Sequence, residues 1–323
     1  MDKETELLNM LSKPKVRLQV FTHSSVSIVD RKSEWNNRYK KLDISQESNE
    51  RLQNSCYIDI FDKYLDLSKN KNKLPRVLEL ACGSAPFTKR ALNNNAHAVA
   101  TDYSEIIINR LKKEYKYNAY VEDLWKINKS IGKFDIIVIA GGIYESDDYT
   151  LPKCLYSQLY EMLNDQGVIL QFLNRYDNFA NRLMVLNAKI RQLIKLSNYN
   201  FIRKLFKKKP IQKYHLFWLM SPKYICNSGA QNNLEIIETL PLRLINGILD
   251  SFLWGIYPFN FFPFKNSSLY SQDSAEKNKD KIFSKFFLFI HNYIFKRKKL
   301  RHMFSMSYCV VFKKKLSKNF DRK

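Results

Sequence analysis

From Leu74 onward, short apolar runs alternate with stretches whose apolar positions recur every three to four residues. The runs "RVLELA", "AHAVATD", "NAYVEDL", "FDIIVIAGG" and "NDQGVILQFL" are the length of buried strands. Between them, "FTKRAL" follows Pro86, which suits a helix's first turn, and "SEIIINRLKKEY" places Ile107, Leu111 and Tyr115 on one face, with Ser104 as its N-cap. "LPKCLYSQLYEML" turns Leu155, Leu159 and Met162 inward. Strands alternating with helices at this spacing predict an α/β fold with a doubly wound, largely parallel sheet.

The flanks read differently. Residues 1–70 are polar and mixed, and they predict an N-terminal helical cap. In it "SEWNNRYKKLD" is a solvated helix with Trp35 and Tyr39 on one side. "NERLQNSCYIDIFDKYLDL" is a second helix, with Leu52, Cys56, Ile60 and Tyr64 at four-residue spacing. After the core at 71–173, residues 174–233 read as a helical substrate-side insertion. It contains the long pattern "NFANRLMVLNAKIRQLIKL", whose basic end is stopped by Pro210. "NNLEIIETLPLRL" and "HMFSMSYCVVFKKK" read as two last strands within 234–315, and 316–323 is a basic tail. Between those strands, about 245–301, lies a segment far longer than a hairpin needs.

Within that segment "KIFSKFFLFIHNYIFKRKKLR" gathers Ile282, Phe283, Phe286, Phe287, Phe289, Ile290, Tyr293 and Ile294 on one broad face, with cations at both ends. Upstream, "INGILDSFLWGIYPFNFFPF" is broken by Gly247, Gly255 and Pro258, so it is no single spanning helix. The pair reads as an interfacial element on an anionic membrane, or as a lid or dimer helix burying its aromatic face in protein. Either way it favours an apolar, lipid-like or polyketide-like partner over a highly charged one.

Charge sharpens this picture without deciding it. The chain has 54 Lys plus Arg against 31 Asp plus Glu, a net +23. That balance suits an anionic membrane surface or nucleic acid, and drift toward AT-rich codons would leave the same composition. Cys56, Cys82, Cys154, Cys226 and Cys309 are scattered, with no CxxC and no Cys/His cluster, so neither a disulfide framework nor a metal site is expected. A reducing cytoplasm is the simplest location, with a peripheral place on the inner face of a membrane if the interfacial reading holds. The N-terminus is charged from its second residue and does not read as a secretory signal. No stretch reaches the ~18 uncharged apolar residues of a spanning helix.

The bend in "VLELACGSAPFTKRAL" carries the chemistry. One glycine, Gly83, and one acid, Glu79, stand where a strand turns into a helix. Glycine there lets a ligand touch backbone. GxxxxGK[ST] is absent, and Ala81 and Ala85 interrupt GxGxxG, so phosphate and dinucleotide fingerprints are not met. An acid before the bend repels a pyrophosphate and pairs with a cation.

At these residues the chain resembles the class I S-adenosylmethionine-dependent methyltransferases, in particular the small-molecule branch. "LELACGSA" is similar to their first motif, and "VEDL", "FDIIVIAGGIYE" and "YEMLNDQGVIL" follow in the family's order over roughly 74–173. The resemblance implies a seven-stranded sheet whose last strand is antiparallel, and S-adenosylmethionine as cofactor. It implies that Ala81 and Gly83 let the methionine end approach the backbone. Glu79 would orient the loop or reach the cofactor amino group through a water; bracing the loop alone is the competing reading. Asp102, followed by Tyr103, would bond the ribose hydroxyls, with a helix N-terminal acid as its alternative. Asp123 would meet the adenine amino group with Leu124 flanking the ring, and Glu122 is its rival.

Ala140, with Gly141 and Gly142, would form a small-residue floor under the methyl donor. Tyr144 and Glu145 stand where small-molecule O-methyltransferases often carry polar or histidine residues; Glu145 would act as a base, with a helix-starting carboxylate as the competing reading. "YHLFWLMSPKYI" resembles a segment found after the core, ahead of a helix and the sixth strand. His215 would then serve as a general base or brace the loop. [DN]PP[YF] and a Pro-Cys nucleophile, marks of base-modifying enzymes, are absent. Cys82 reads as packing, with no neighbour to activate it. A small-molecule O-methyltransferase is therefore the leading expectation. RNA methylation is kept open by the charge, and a non-catalytic adaptor is the third reading.

Overall fold

A computed structural model describes residues 17–22, 31–52, 55–69, 73–140, 151–174, 213–218, 222–242 and 307–315. Its nine strands are β1 (Arg17–Thr22), β2 (Arg76–Leu80), β3 (His97–Asp102), β4 (Asn118–Val121), β5 (Phe134–Ala140), β6 (Leu163–Asn174), β7 (Lys213–Trp218), β8 (Leu234–Leu242) and β9 (Ser307–Lys314). Its helices are α1 (Arg31–Lys41), α2 (Ile44–Leu52), α3 (Ser55–Ser68), α4 (Pro86–Asn93), α5 (Glu105–Tyr115), α6 (Leu151–Met162) and α7 (Pro222–Ala230).

Seven strands form one sheet in the order β4-β3-β2-β5-β6-β9-β8. Neighbours from β4 to β6 pair in parallel, and β9 runs antiparallel to both β6 and β8. The α/β sheet with an antiparallel last strand is therefore the observed fold. Strands such as β5 are apolar on both sides because helices cover both faces, so periodicity two is erased there. Leu78, Leu80, Ile137, Ile139, Ile169 and Phe312 meet Leu155, Leu159 and Ile225 of α6 and α7 on one face. Val77, Ala98, Ile136, Val138 and Leu170 meet Phe61, Tyr64 and Phe87 of α3 and α4 on the other. The approach of α7 to β9 is so close that a Cβ on Gly229 would stand 2.4 Å from Phe312.

Three local expectations are corrected. The N-terminal region is not wholly helical: β1 pairs antiparallel with β7, placing Val20 opposite His215. Two extended segments so far apart in sequence leave no local signal that they pair. The single helix expected over 49–67 is two helices, α2 ending at Leu52 and α3 starting at Ser55. Finally, α1 is only half solvated. Tyr39 is 6% exposed, stacked with Trp35 at 5.5 Å, and packs with Ile44, Cys82, Ala85, Ile107 and Ile108. The long helical pattern over 178–210 and the aromatic segment over 245–301 lie outside the described residues.

At the far edge, the pairing of β8 with β9 shifts register between Ile236 and Glu238, a bulge that leaves Ile237 exposed. Glu238 there accepts hydrogen bonds from Lys63 Nζ at 2.8 Å and from the Tyr64 hydroxyl at 2.8 Å. The Lys63 bond holds the Glu238 carboxyl below its ordinary range, while burial and then Glu238 push the Tyr64 hydroxyl up. The ion pair is partly solvated, so its worth is at most about 1 kcal/mol. A depressed carboxyl stabilises the fold above its unfolded value of about 4.3 and ceases to as pH falls through the folded value. Glu238→Gln should therefore lower urea stability at pH 7 by up to about 1 kcal/mol, with the difference from wild type closing as pH falls through the folded carboxyl value. A difference that persists unchanged once the carboxyl is protonated would remove the charge-based account of this contact.

Candidate functional site

In an open α/β sheet the ligand site lies beyond the carboxyl ends of the strands, where the winding reverses. Here the reversal falls at β2, flanked by β3 on one side and β5 on the other. The sequence-predicted residues distribute along this edge in strand order: Asp123 and Leu124 after β4, Asp102 and Tyr103 at the end of β3, Glu79 to Gly83 at β2, and Ala140 closing β5. Tyr144 and Glu145 lie outside the described residues. His215 sits on β7, and the description extends to its backbone pairing only.

The bend itself is an unusual piece of backbone. Gly83 has φ +53°, and Ala81 and Ala85 have φ +49° and +52°. Left-handed backbone costs a residue with a Cβ about 1 kcal/mol or more, and strain of this kind clusters at ligand sites. Two alanines therefore occupy conformations that favour glycine. Ala85 is wholly buried among Tyr39, Ile44 and Ala100, so its methyl regains through packing part of what its backbone costs. Ala81 is half-buried and belongs to none of the core clusters.

Two carboxylates fix this loop. Glu79, 2% exposed, accepts the Thr88 N–H of α4 at 2.7 Å. A charged acceptor at the amino end of a helix is favoured by the helix dipole, and this bond ties the strand to the helix it enters. Asp102, 3% exposed, accepts the Gly83 N–H with Oδ2 at 3.0 Å and the Ser104 N–H with Oδ1 at 3.0 Å. It thus joins the loop after β2 to the loop after β3. A carboxylate oxygen can accept more than one hydrogen bond. Ser104 occupies the N-cap position of α5, as expected, but its side chain makes no capping bond. Its hydroxyl donates instead to Asn36 Oδ1 of α1.

The acid pair after β4 divides its work. Glu122 Oε2 accepts the Asn128 N–H at 3.0 Å, whereas Asp123 is exposed and accepts the Trp125 N–H at 3.0 Å in a tight turn. Leu124 packs on the core and Ala140 is half-buried. Cys82 is buried against Gly83 O, as packing. Sequence reasoning missed Asn36, Ser84 and Thr88. The hydroxyls of Ser84 and Thr88 are buried and have no partner among the described residues, although unmet polar groups are rare in interiors. No pattern in the chain announces them, because serine and threonine occur everywhere. A buried glutamine is a second surprise: Gln171 of β6 donates to Ile139 O at 3.2 Å and accepts from the Tyr156 hydroxyl at 3.4 Å. Among the described residues no cluster of His, Cys, Asp and Glu could hold a metal.

Residues 77–167 match the family model described as a methyltransferase domain. With the sheet order above, residues 77–167 are similar to a methyltransferase domain, set in a seven-stranded α/β sheet. No curated protein matches the sequence significantly. Similar solved structures include a TehB-like S-adenosylmethionine-dependent methyltransferase from Corynebacterium glutamicum, at 12% identity over 84% of this chain and 99% of that one, TM-score 0.42. An S-adenosylmethionine-dependent methyltransferase from Clostridium acetobutylicum is 10% identical over 80% and 97%, TM-score 0.41. The cyclopropane synthase MmaA2 from Mycobacterium tuberculosis is 12% identical over 79% and 83%, TM-score 0.43. Likenesses of this size say nothing of acceptor or site residues.

The strained loop gives a direct test. Ala81→Gly relieves backbone strain at small packing cost and should raise unfolding free energy by about 0.5–1 kcal/mol. Ala85→Gly also removes a buried methyl worth about 0.8 kcal/mol, so it should come out close to neutral. Chemical denaturation of both variants decides; a destabilised Ala81→Gly would contradict the left-handed assignment.

Proposed function

We propose that this protein transfers a methyl group from S-adenosylmethionine to a small, apolar or lipid-like acceptor, with oxygen as the favoured atom, at the surface of an anionic membrane. The observation that carries the cofactor reading is the placement of Glu79, Asp102 and Asp123 along the ends of β2, β3 and β4, around a left-handed glycine at the winding reversal. Acids and hydroxyls, with no cation built into the loop, suit a ligand bearing a sulfonium and an ammonium. The unpartnered Ser84 and Thr88 hydroxyls supply polar capacity that such a ligand, or its water, can use.

In this reading Asp102 accepts from the ribose hydroxyls with the lone pairs left by Gly83 and Ser104. Gly83 and Ala81 present backbone to the methionine end. Glu79 holds the loop through Thr88, so it orients the site without touching the methyl group. Asp123, with Leu124 beside it, faces the adenine. The cofactor brings the electrophile as a sulfonium methyl, and the chain's task is to place an acceptor in line with it. Ala140, Tyr144, Glu145 and His215 are the residues proposed for the acceptor side, with His215 or Glu145 taking the acceptor's proton.

The acceptor class rests on the sequence of 281–301, whose aromatic face is flanked by cations, together with a formal charge of +23. Among the described residues no helix is long and apolar enough to cross a membrane. The charge also keeps RNA as the second acceptor class.

Two outcomes are expected. Asp102→Ala should weaken S-adenosylhomocysteine binding by about 1–3 kcal/mol in calorimetry, the range for a lost hydrogen bond to a charged acceptor; unchanged affinity would refute the ribose role. The full chain should co-sediment with anionic but not neutral vesicles, and deletion of 281–301 should abolish this. Failure to sediment at low salt, or tighter and steeply salt-dependent binding to bulk RNA, would replace the lipid reading with the nucleic-acid one.

A further inference from the structure

The polar contact between the N-terminal layer and the cofactor loop is made where it matters to the ligand. Ser104 is fully buried; its N–H donates to Asp102 Oδ1, and its hydroxyl donates to Asn36 Oδ1. The other oxygen of Asp102 holds the Gly83 N–H. Asn36 thus stands two hydrogen bonds from the carboxylate assigned to the ribose and three from the strained glycine. The helix that carries it is seated by apolar contact on the same loop, since Tyr39 and Ile44 pack with Cys82 and Ala85.

We propose that Asn36 is a positioning residue of the cofactor site, acting through Ser104 on Asp102. The inference rests on the functional reading above. Ser104 has one hydroxyl proton, and Asn36 fixes where it points. With Asn36 in place the proton is turned toward α1, away from the carboxylate. Asp102 then receives only the N–H from Ser104, so the hydroxyl takes none of the carboxylate's accepting capacity. Without Asn36 the buried hydroxyl needs another acceptor, and Asp102 is the charged one already bonded to the same residue. The hydroxyl would then compete with the ribose for the lone pair that the ligand requires.

A second contact of the same layer supplies the control. Arg110 of α5 donates to the carbonyls of Tyr39 and Leu42, both at 2.8 Å, and pairs with Glu114. It holds the α1–α2 connection in place, and its bonds among the described residues go to Tyr39, Leu42 and Glu114, not to Ser104 or Asp102.

The test is a calorimetric titration of the full chain with S-adenosylhomocysteine, well below the melting temperature, with thermal stability measured alongside. Asn36→Ala should weaken binding about threefold to tenfold, the effect of one hydrogen bond in a buried network. Ser104→Ala removes the competing hydroxyl, so it should bind nearly as wild type does, and Asn36→Ala added to it should cost nothing further. Arg110→Ala should lower the melting temperature at least as much as Asn36→Ala while leaving affinity within twofold, a range that binding to folded protein tolerates. The proposal is overturned if Asn36→Ala binds like wild type, if its effect persists in the Ser104→Ala background, or if Arg110→Ala loses affinity in proportion to stability. Wild-type protein that binds no S-adenosylhomocysteine overturns the functional reading itself, and this inference with it.

Discussion

One carboxylate, Asp102, holds together the two loops of the candidate site. It is buried at the end of β3, and its two oxygens take backbone N–H groups from opposite sides, Gly83 on the loop of β2 and Ser104 on the loop of β3. A charge so placed is costly without partners, and both partners are rigid amides delivered by adjacent parallel strands. The parallel pairing supplies the register: Leu80 lies opposite Thr101, and Cys82 N–H donates to Thr101 O at 2.9 Å just before the chain bends. The same constraint accounts for the strained backbone. Ala81, Gly83 and Ala85 are left-handed because the loop must turn back over the strand ends to bring the Gly83 amide to Asp102.

The surrounding packing makes that loop stiff. On one side Glu79 fastens the start of α4 through Thr88. On the other, α1 and α2 press Tyr39 and Ile44 against Cys82 and Ala85. The N-terminal layer is therefore part of the site's foundation as well as a cover for the sheet. Alanines at 81 and 85, in backbone conformations that favour glycine, add strain, and the buried methyl of Ala85 gives the N-terminal layer a surface to grip. Local strain is offset by tertiary contact, which is a common arrangement at binding sites.

Much of this was legible in the chain because it rests on local pattern. The five parallel strands announce themselves as short apolar runs, and helices α4 to α6 by Pro86 and by faces such as Ile107–Leu111 and Leu155–Leu159. Glu79, Gly83 and Asp102 were visible as acids and a glycine at strand ends. What escaped notice was non-local. The pairing of Arg17–Thr22 with Lys213–Trp218 joins segments far apart in sequence. Ser104 looked like an N-cap, and its hydroxyl goes instead to Asn36, because α1 docks there and offers a better-placed acceptor. Ser84 and Thr88 carry no signal until burial makes their hydroxyls conspicuous. The acceptor side was legible only as chemistry in series: Tyr144, Glu145 and the aromatic run over 281–301 lie outside the described residues.

The central claim is that Asp102, already bonded to two amides, receives a nucleoside's ribose with its remaining lone pairs. A crystal structure of the full chain with S-adenosylhomocysteine tests it most directly. The account predicts both ribose hydroxyls within hydrogen-bonding distance of the Asp102 carboxylate, with the Gly83 and Ser104 amides still in place. A ligand seated elsewhere, or a ribose held by other groups while Asp102 meets backbone alone, would contradict it.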